Sequence, residues 1–278
     1  MYKRGGLRVE FRTPNESICF LSMAKETLQQ LKINHQDHHL SVIISSSGII
    51  SIWAFSRTPM EFQVEYATEA DGPGLAKVNI DSFRNQRILP SVFPEASRQS
   101  LGEYKAMYSM KHLANPEMHV LKMTDPSTGE IIGYSRWFIP KSLGGETIPQ
   151  MSEKAQEIAR DPVVFAPRPM NEALYGAFRQ LLETSRKRFV KDEDMVLDLL
   201  AILPEYQGRG LASKFLQWGC SRADQFGVRL YLEATGAGYP VYFKYGWRLL
   251  EEVNLDLSQY GAEGIETFTI MMREPQAK

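Results

Sequence analysis

The sequence predicts an α/β domain in which strands alternate with amphipathic helices around one sheet. Three observations predict it. The run at residues 195–203 is apolar apart from Asp198, as expected of a strand covered on both faces. Two glycines within three residues, Gly208 and Gly210, follow it and lead into an amphipathic, helix-like run at 211–226. Upstream, strand-like runs at 118–123 and 130–139 flank Asp125-Pro126-Ser127-Thr128-Gly129, which has the composition of a turn, so the two make a hairpin.

The first 59 residues read differently from the rest. Residues 23–31 have the pattern of two helical turns. His35, His38 and His39 cluster with Asp37 in a polar stretch, where solvated histidines are commoner than metal ligands. Residues 40–56 carry no charge, but the run is shorter than the roughly 20 apolar residues of a spanning helix. It also begins far from the basic start of the chain and makes a poor secretory signal. The expectation is that the domain begins at Met60, giving a domain over 60–278. Residues 1–59 are then a poorly ordered appendage or the product of an incorrect start.

From there the elements follow in order. Residues 61–66 alternate with period two, the pattern of a first strand. Thr68, followed by Glu69 and Asp71, has the composition of a helix start, and the helix runs to about residue 83. A second helix covers 96–113 and is closed by Asn115-Pro116. After the hairpin, residues 141–169 contain proline and glycine. They form a loop insertion beside the substrate cleft, or alternatively a passive surface excursion, with a short helix at 152–160. Residues 170–191 form a longer helix with Leu174, Phe178, Leu181 and Leu182 close to one face. Its Arg186-Lys187-Arg188 run reads as a solvated end that complements the helix dipole.

Hydrophobic residues make up 43% of the 278 and charged residues 23%, enough apolar content for a sizeable core. Residues 1–59 hold seven Lys/Arg against four Asp/Glu, and residues 60–278 hold 25 against 29. The mildly acidic main part argues against a nucleic-acid surface, and nothing in the sequence reads as a membrane partner. Cys19 and Cys220 are the only cysteines. They make no disulfide framework and no zinc spacing, which leaves a reducing, cytoplasmic or nuclear compartment as the expectation. Cys220 falls inside the 211–226 helix and reads as a small core residue.

The glycine turn carries the chemistry. Pro204-Glu205-Tyr206-Gln207-Gly208-Arg209-Gly210-Leu211-Ala212 joins strand to helix. A turn of this kind exposes N–H groups at the positive end of a helix, a natural site for phosphate. It lacks the third glycine of the dinucleotide fingerprint and the Gly-Lys-Ser/Thr of the nucleotide P-loop. Downstream come Trp218-Gly219, Ala223-Asp224, the strand-like run Val228-Arg229-Leu230-Tyr231-Leu232-Glu233-Ala234, and Gly238-Tyr239-Pro240 leading to Tyr242 and Gly246-Trp247. With its Gln-x-x-Gly-x-Ala turn, the stretch resembles the second half of the GNAT superfamily of N-acetyltransferases, the fungal-type proteins in particular. The resemblance is dense over residues 196–253, looser over 60–273, and absent before Met60.

The resemblance implies a single mixed, mostly antiparallel twisted sheet of six or seven strands flanked by helices, its central strand splayed to admit acyl-CoA. It implies that Leu200 and Ile202 bind the pantetheine arm through their main chains, in the manner of an added strand. A main-chain N–H there would polarise the thioester carbonyl. The pyrophosphate falls to Gln207, Gly208, Arg209, Gly210, Leu211 and Ala212. Tyr242, four residues before Gly246, is the general acid for the departing thiolate. Family members often carry an asparagine early in that last helix, where this chain has Thr235-Gly236-Ala237. For the general base, Asp198 comes first, a lone acid in an apolar strand, and Glu233 second. Either is alternatively a structural hydrogen-bonding group. The implied activity is acetyl transfer from acetyl-CoA, without metal, to a primary amine attacking directly in a ternary complex. The aromatic, mildly acidic wall at 80–113 and 141–169 leans the acceptor towards a small molecule. A protein lysine acetyltransferase and a non-catalytic CoA-binding module are the alternatives.

Overall fold

A computed structural model describes residues 7–12, 38–44, 49–56, 62–144 and 147–276. The chain divides into two compact units, Met1–Glu61 and Phe62–Lys278. In the first, β1 (Leu7–Arg12), β2 (His38–Ile44) and β3 (Ile49–Ser56) form an antiparallel sheet in the order β1-β3-β2. The uncharged run is therefore largely two strands of a hairpin, with Ile44 opposite Ile50 and His38 opposite Ser56. The helix expected at 23–31 lies outside the described residues, as does His35 of the histidine cluster.

The second unit is built on one open sheet of seven strands. These are β4 (Val64–Tyr66), β5 (Met118–Thr124), β6 (Ile131–Phe138), β7 (Met195–Ile202), β8 (Leu230–Ala234), β9 (Arg248–Asp256) and β10 (Ile265–Arg273). Their order is β4-β5-β6-β7-β8-β10-β9. Every neighbouring pair is antiparallel except β7 and β8, which run parallel. A parallel pair needs a crossover, and the helix α6 (Leu211–Phe226) supplies it. The remaining helices are α1 (Gly72–Ser82), α2 (Ile88–Val92), α3 (Arg98–Leu113), α4 (Glu153–Arg160), α5 (Glu172–Phe189) and α7 (Tyr239–Lys244).

Local chemistry sets most of these boundaries. Thr68 donates its backbone N–H to Asp71 at 2.7 Å, and the same carboxylate takes Lys122 of β5 at 2.8 Å, which pins the entry of α1 to the sheet. Ser97, Ser152 and Asn171 each accept from a backbone N–H in the first turn of α3, α4 and α5. Leu174, Phe178, Leu181 and Leu182 of α5 pack in one cluster with Ile88, Val92, Leu101 and Phe268. Helix α2 was not anticipated. It is a single turn and a half containing Pro90, held by the burial of Ile88 and Val92, by the Asn171 N–H donating to the Val92 carbonyl at 2.8 Å and by the Arg87 N–H donating to Glu266 at 2.6 Å.

The larger core joins the sheet to α1, α3 and α6. Trp137 of β6 is fully buried and donates its indole N–H to Ser135 at 3.0 Å. Its ring lies over Gly219 of α6, where an added Cβ would meet ring carbons at 2.3 Å. The glycine is thus a matter of space. Gly219→Ala is expected to cost about 1–3 kcal/mol by overpacking, read from urea unfolding midpoints. Cys220 beside it is buried, and burial pushes its thiol up to about 11, consistent with a core residue.

Candidate active site

The two parallel strands part company early. β7 and β8 pair only at Met195–Leu230, Val196–Tyr231 and Leu197–Leu232. Beyond Leu197, β7 keeps its partner on the other side, β6, through to Ile202 opposite Gly133. The side facing β8 is left open. The parting coincides with a bulge in which Arg136 faces Leu199 and Trp137 faces Leu197, so Asp198 is the extra residue. Leu203 donates its N–H to Ile132 of β6 at 2.8 Å. By strand alternation the main-chain groups of Ile202 and Leu200 point the opposite way, into the gap. The Ile202 carbonyl there accepts from Ser82 Oγ of α1 at 2.9 Å and from Gln207 Nε2 at 2.8 Å.

The strand ends on the glycine turn. Gly208 and Gly210 adopt φ of 74° and 76°, the left-handed region, and Gly210 caps α6. An added Cβ would meet nothing within 4 Å at either. Glycine is required here by backbone conformation, and the space in front of it is open. Among the described residues, the N–H groups of 208–212 donate to no carbonyl. Arg209 lies along the turn, its guanidinium 4.8 Å from the Tyr206 ring and bonded to the Glu205 carbonyl at 2.7 Å. Tyr206 in turn donates to Asp125 in the β5–β6 hairpin turn at 2.8 Å. The turn is therefore braced from behind while its N–H face stays clear. These groups fit a pyrophosphate.

Tyr242 sits on α7 beyond β8. Its ring packs edge-on against buried Trp247 with centroids 5.9 Å apart. Burial pushes its pKa above the usual 10, so the phenol stays protonated across the neutral range. Helix α7 is anchored by Arg273 of β10, which donates to the Tyr245 carbonyl at 2.9 Å. The same guanidinium clasps Asp224 of α6 at 2.7 and 2.8 Å.

The two carboxylates expected as bases share one guanidinium. Arg186 of α5 donates to Glu233 at 2.7 and 2.8 Å and to Asp198 at 2.9 Å, bridging β8 and β7 where they separate. Asp198 also meets Arg136 of β6 at 2.8 Å. Burial alone would raise its pKa, but Arg136, Arg186 and His112 outweigh burial and hold the carboxyl well below the usual range. A carboxylate in this state is a weak proton acceptor. Asp198 thus has the structural hydrogen-bonding role that was the alternative to that of base, and Glu233 is held bidentately by the same guanidinium. Arg186 also corrects the reading of the basic run as a solvated end. Only Lys187 and Arg188 are solvated, and they pair with Glu183 and Glu251.

Beside Arg136, between α1, α3, β5 and β6, lies a cavity of about 50 Å³ with both polar and apolar walls. It is lined by Asn79, Lys105, Tyr108, His112, Tyr134 and Arg136, with apolar Leu75, Ala76 and Val120. Asn79 donates to the Tyr134 hydroxyl at 3.1 Å, and the Tyr108 hydroxyl meets that of Tyr175 at 3.1 Å. Burial, reinforced by Arg136, pushes the pKa of His112 well below its usual 6.5, so the imidazole is neutral. Its Nε2 is buried without a hydrogen-bond partner. The sequence assigned His112 and Lys105 no role. Only the fold brings them to Arg136.

No protein-family model matches the chain, and no curated protein matches it. Solved structures do. Arylalkylamine N-acetyltransferase 2 of Aedes aegypti is 14% identical, covering 78% of this chain and 100% of that one at a TM-score of 0.49. The histone acetyltransferase HPA2 and related acetyltransferase of Corynebacterium glutamicum is 19% identical, with coverages of 79% and 99% and a TM-score of 0.48. The PaiA N-acetyltransferase of Thermoplasma acidophilum, solved with coenzyme A, is 13% identical, with coverages of 77% and 99% and a TM-score of 0.41. The open seven-stranded sheet, its central parallel pair splayed beyond Leu197 and its glycine turn at the start of α6 are the features that the resemblance to the GNAT superfamily implies.

Proposed function

We propose that the chain is an acetyl-CoA-dependent N-acetyltransferase that acetylates a primary amine on a small molecule. The observation that carries this reading is the junction of two features. A strand edge opens into a gap beyond Leu197, and that same strand runs into a turn whose N–H groups face open space. A peptide-like arm ending in a pyrophosphate needs both, in that order and on one element.

Acetyl-CoA supplies the acyl group as a thioester. The residues of the chain do the rest. The N–H groups of 208–212 hold the pyrophosphate, with Arg209 adding charge. Leu200 receives the pantetheine arm through its main chain, and Ile202 through its N–H, since the Ile202 carbonyl is taken by Ser82 and Gln207. The Leu200 N–H aligns the thioester carbonyl and takes up negative charge as the amine attacks. Tyr242 gives its proton to the sulfur as the carbon–sulfur bond breaks. The acceptor gives its ammonium proton to water and attacks as the neutral amine, and the proton released as the amide forms returns to the Tyr242 oxygen. Arg186, by fixing Asp198 and Glu233, holds β7 and β8 at the mouth of the gap.

The test is thermal. Acetyl-CoA binds the folded state alone and is expected to raise the melting temperature. Gly210→Glu is expected to abolish the rise by placing a carboxylate where phosphate belongs. Gly210→Ala controls for the strain of a left-handed residue; it lowers the melt of the free protein and retains part of the rise. A full rise in Gly210→Glu would show that CoA binds elsewhere.

A further inference from the structure

The cavity beside Arg136 carries more positive charge than the fold neutralises. Lys105, Arg136 and Arg186 stand against Asp198 and Glu233, with His112 neutral between them. Asp198 is engaged by Arg136 and Arg186, and Glu233 by Arg186. Lys105 has no carboxylate partner among the described residues. Burial, with Arg136 adding to it, pushes its pKa down to about 8, so it remains charged through the neutral range. Three further polar atoms of the cluster, Arg136 Nε, His112 Nε2 and Asp198 Oδ2, are buried without hydrogen-bond partners, though the last lies 2.8 Å from the Arg136 guanidinium and is neutralised by it. Unpaired buried polar groups are costly, and a cluster of them around one cavity marks the place of a missing ligand group.

We propose that this cavity receives a carboxylate carried by the acceptor, so that the acceptor is an amino acid and not a simple amine, with Lys105 and Arg136 as the residues that select it. The inference rests on the transferase reading and names its substrate class.

Size, sign and position all bear on it. A volume of about 50 Å³ has room for a carboxylate with one or two carbons. A second ammonium there would meet Lys105 and Arg136 and be repelled, whereas a carboxylate accepts from Lys105 and from the Nε–H of Arg136. The cavity also lies one side chain from the reaction. Arg136 reaches Asp198 at the bulge, two residues from Leu200. A carboxylate seated on Arg136 therefore leaves an amine a few atoms away within reach of the gap between β7 and β8.

The experiment compares matched pairs that differ by one carboxylate: alanine against ethylamine, and phenylalanine against phenethylamine. The full chain is assayed with acetyl-CoA by release of free thiol. In parallel, N-acetylphenylalanine and N-acetylphenethylamine are titrated calorimetrically in the presence of CoA. The carboxylated member of each pair is expected to be favoured at least about tenfold in kcat/KM and in affinity, as a charge-assisted pair in a partly enclosed site should be. Lys105→Met, which keeps the volume and removes the charge, is expected to bring that ratio towards one. A ratio at or below one in the wild type, or an equal loss on both members in Lys105→Met, overturns the proposal. So does absence of calorimetric binding by N-acetylphenylalanine. Failure of the transferase reading looks different: acetyl-CoA gives no thermal rise and no amine releases thiol, while the calorimetric arm still reports on the cavity.

Discussion

Arg186→Met is expected to lower the melting temperature by roughly 6–12 °C, the equivalent of about 3 kcal/mol in a domain of this size. The substitution removes a guanidinium that holds two carboxylates, one from each of two separating strands. Glu233 loses its ion-pair partner, and Asp198 keeps only Arg136. Removing one member of such a cluster is worse than replacing the whole, because charge is left in a poorly solvated place. Adding Glu233→Gln to Arg186→Met is therefore expected to recover part of the loss, and a double-mutant cycle measures that coupling. The pH dependence has a defined sign. Asp198 titrates below its usual 3.8 in the folded chain, so it contributes stability above that value and the contribution is lost as the pH falls through the depressed range. With Arg186 gone, that acid-side loss is expected to shrink. Equal melts for wild type and variant would show that α5 merely rests on the sheet.

Tyr242→Phe is expected to reduce kcat at least about tenfold and leave acetyl-CoA affinity close to wild type. The substitution removes one oxygen and keeps the ring that packs on Trp247, so stability and cofactor binding give little sign of it. A fall in turnover with an unchanged thermal rise on acetyl-CoA assigns the phenol to proton donation. Turnover like that of the wild type returns Tyr242 to a packing role.

The parts of the site legible in the sequence are those made by consecutive residues. Strand β7, the glycine turn and α6 lie in one run, and local rules suffice to place them: apolar strand, left-handed glycines, helix cap. The hairpin at 125–129 and the α5 face of Leu174, Phe178, Leu181 and Leu182 were legible for the same reason. What was not legible depends on which way a side chain faces across elements. Arg186, Lys187 and Arg188 are alike in sequence, yet successive helix residues point about 100° apart. One of the three turns inward to the sheet while its neighbours stay at the surface. Lys105 and His112, seven residues apart on α3, take their meaning from Arg136 on another element. Helix α2 gave no periodic signal because it is five residues long and contains a proline. For Asp198 the identity of the residue was informative, but its neighbours decided what it does.

The extra residue at 198 has a consequence for how the site is encoded. A strand offers its main-chain groups alternately left and right, so its two halves ordinarily keep the same beat. Here the beat is shifted by one. Met195 and Leu197 address β8, and after the insertion Leu200 and Ile202 take up that direction. Paired as a regular strand with no bulge at 198, the same residues would turn Leu199 and Ala201 to the gap and the groups of Leu200 and Ile202 to β6. The Ile202 carbonyl would then leave Ser82 and Gln207, which tie it to α1 and to the glycine turn. What positions the ligand-facing groups is thus the bulge itself, and the two guanidiniums that grip Asp198 hold it at that one place in the strand.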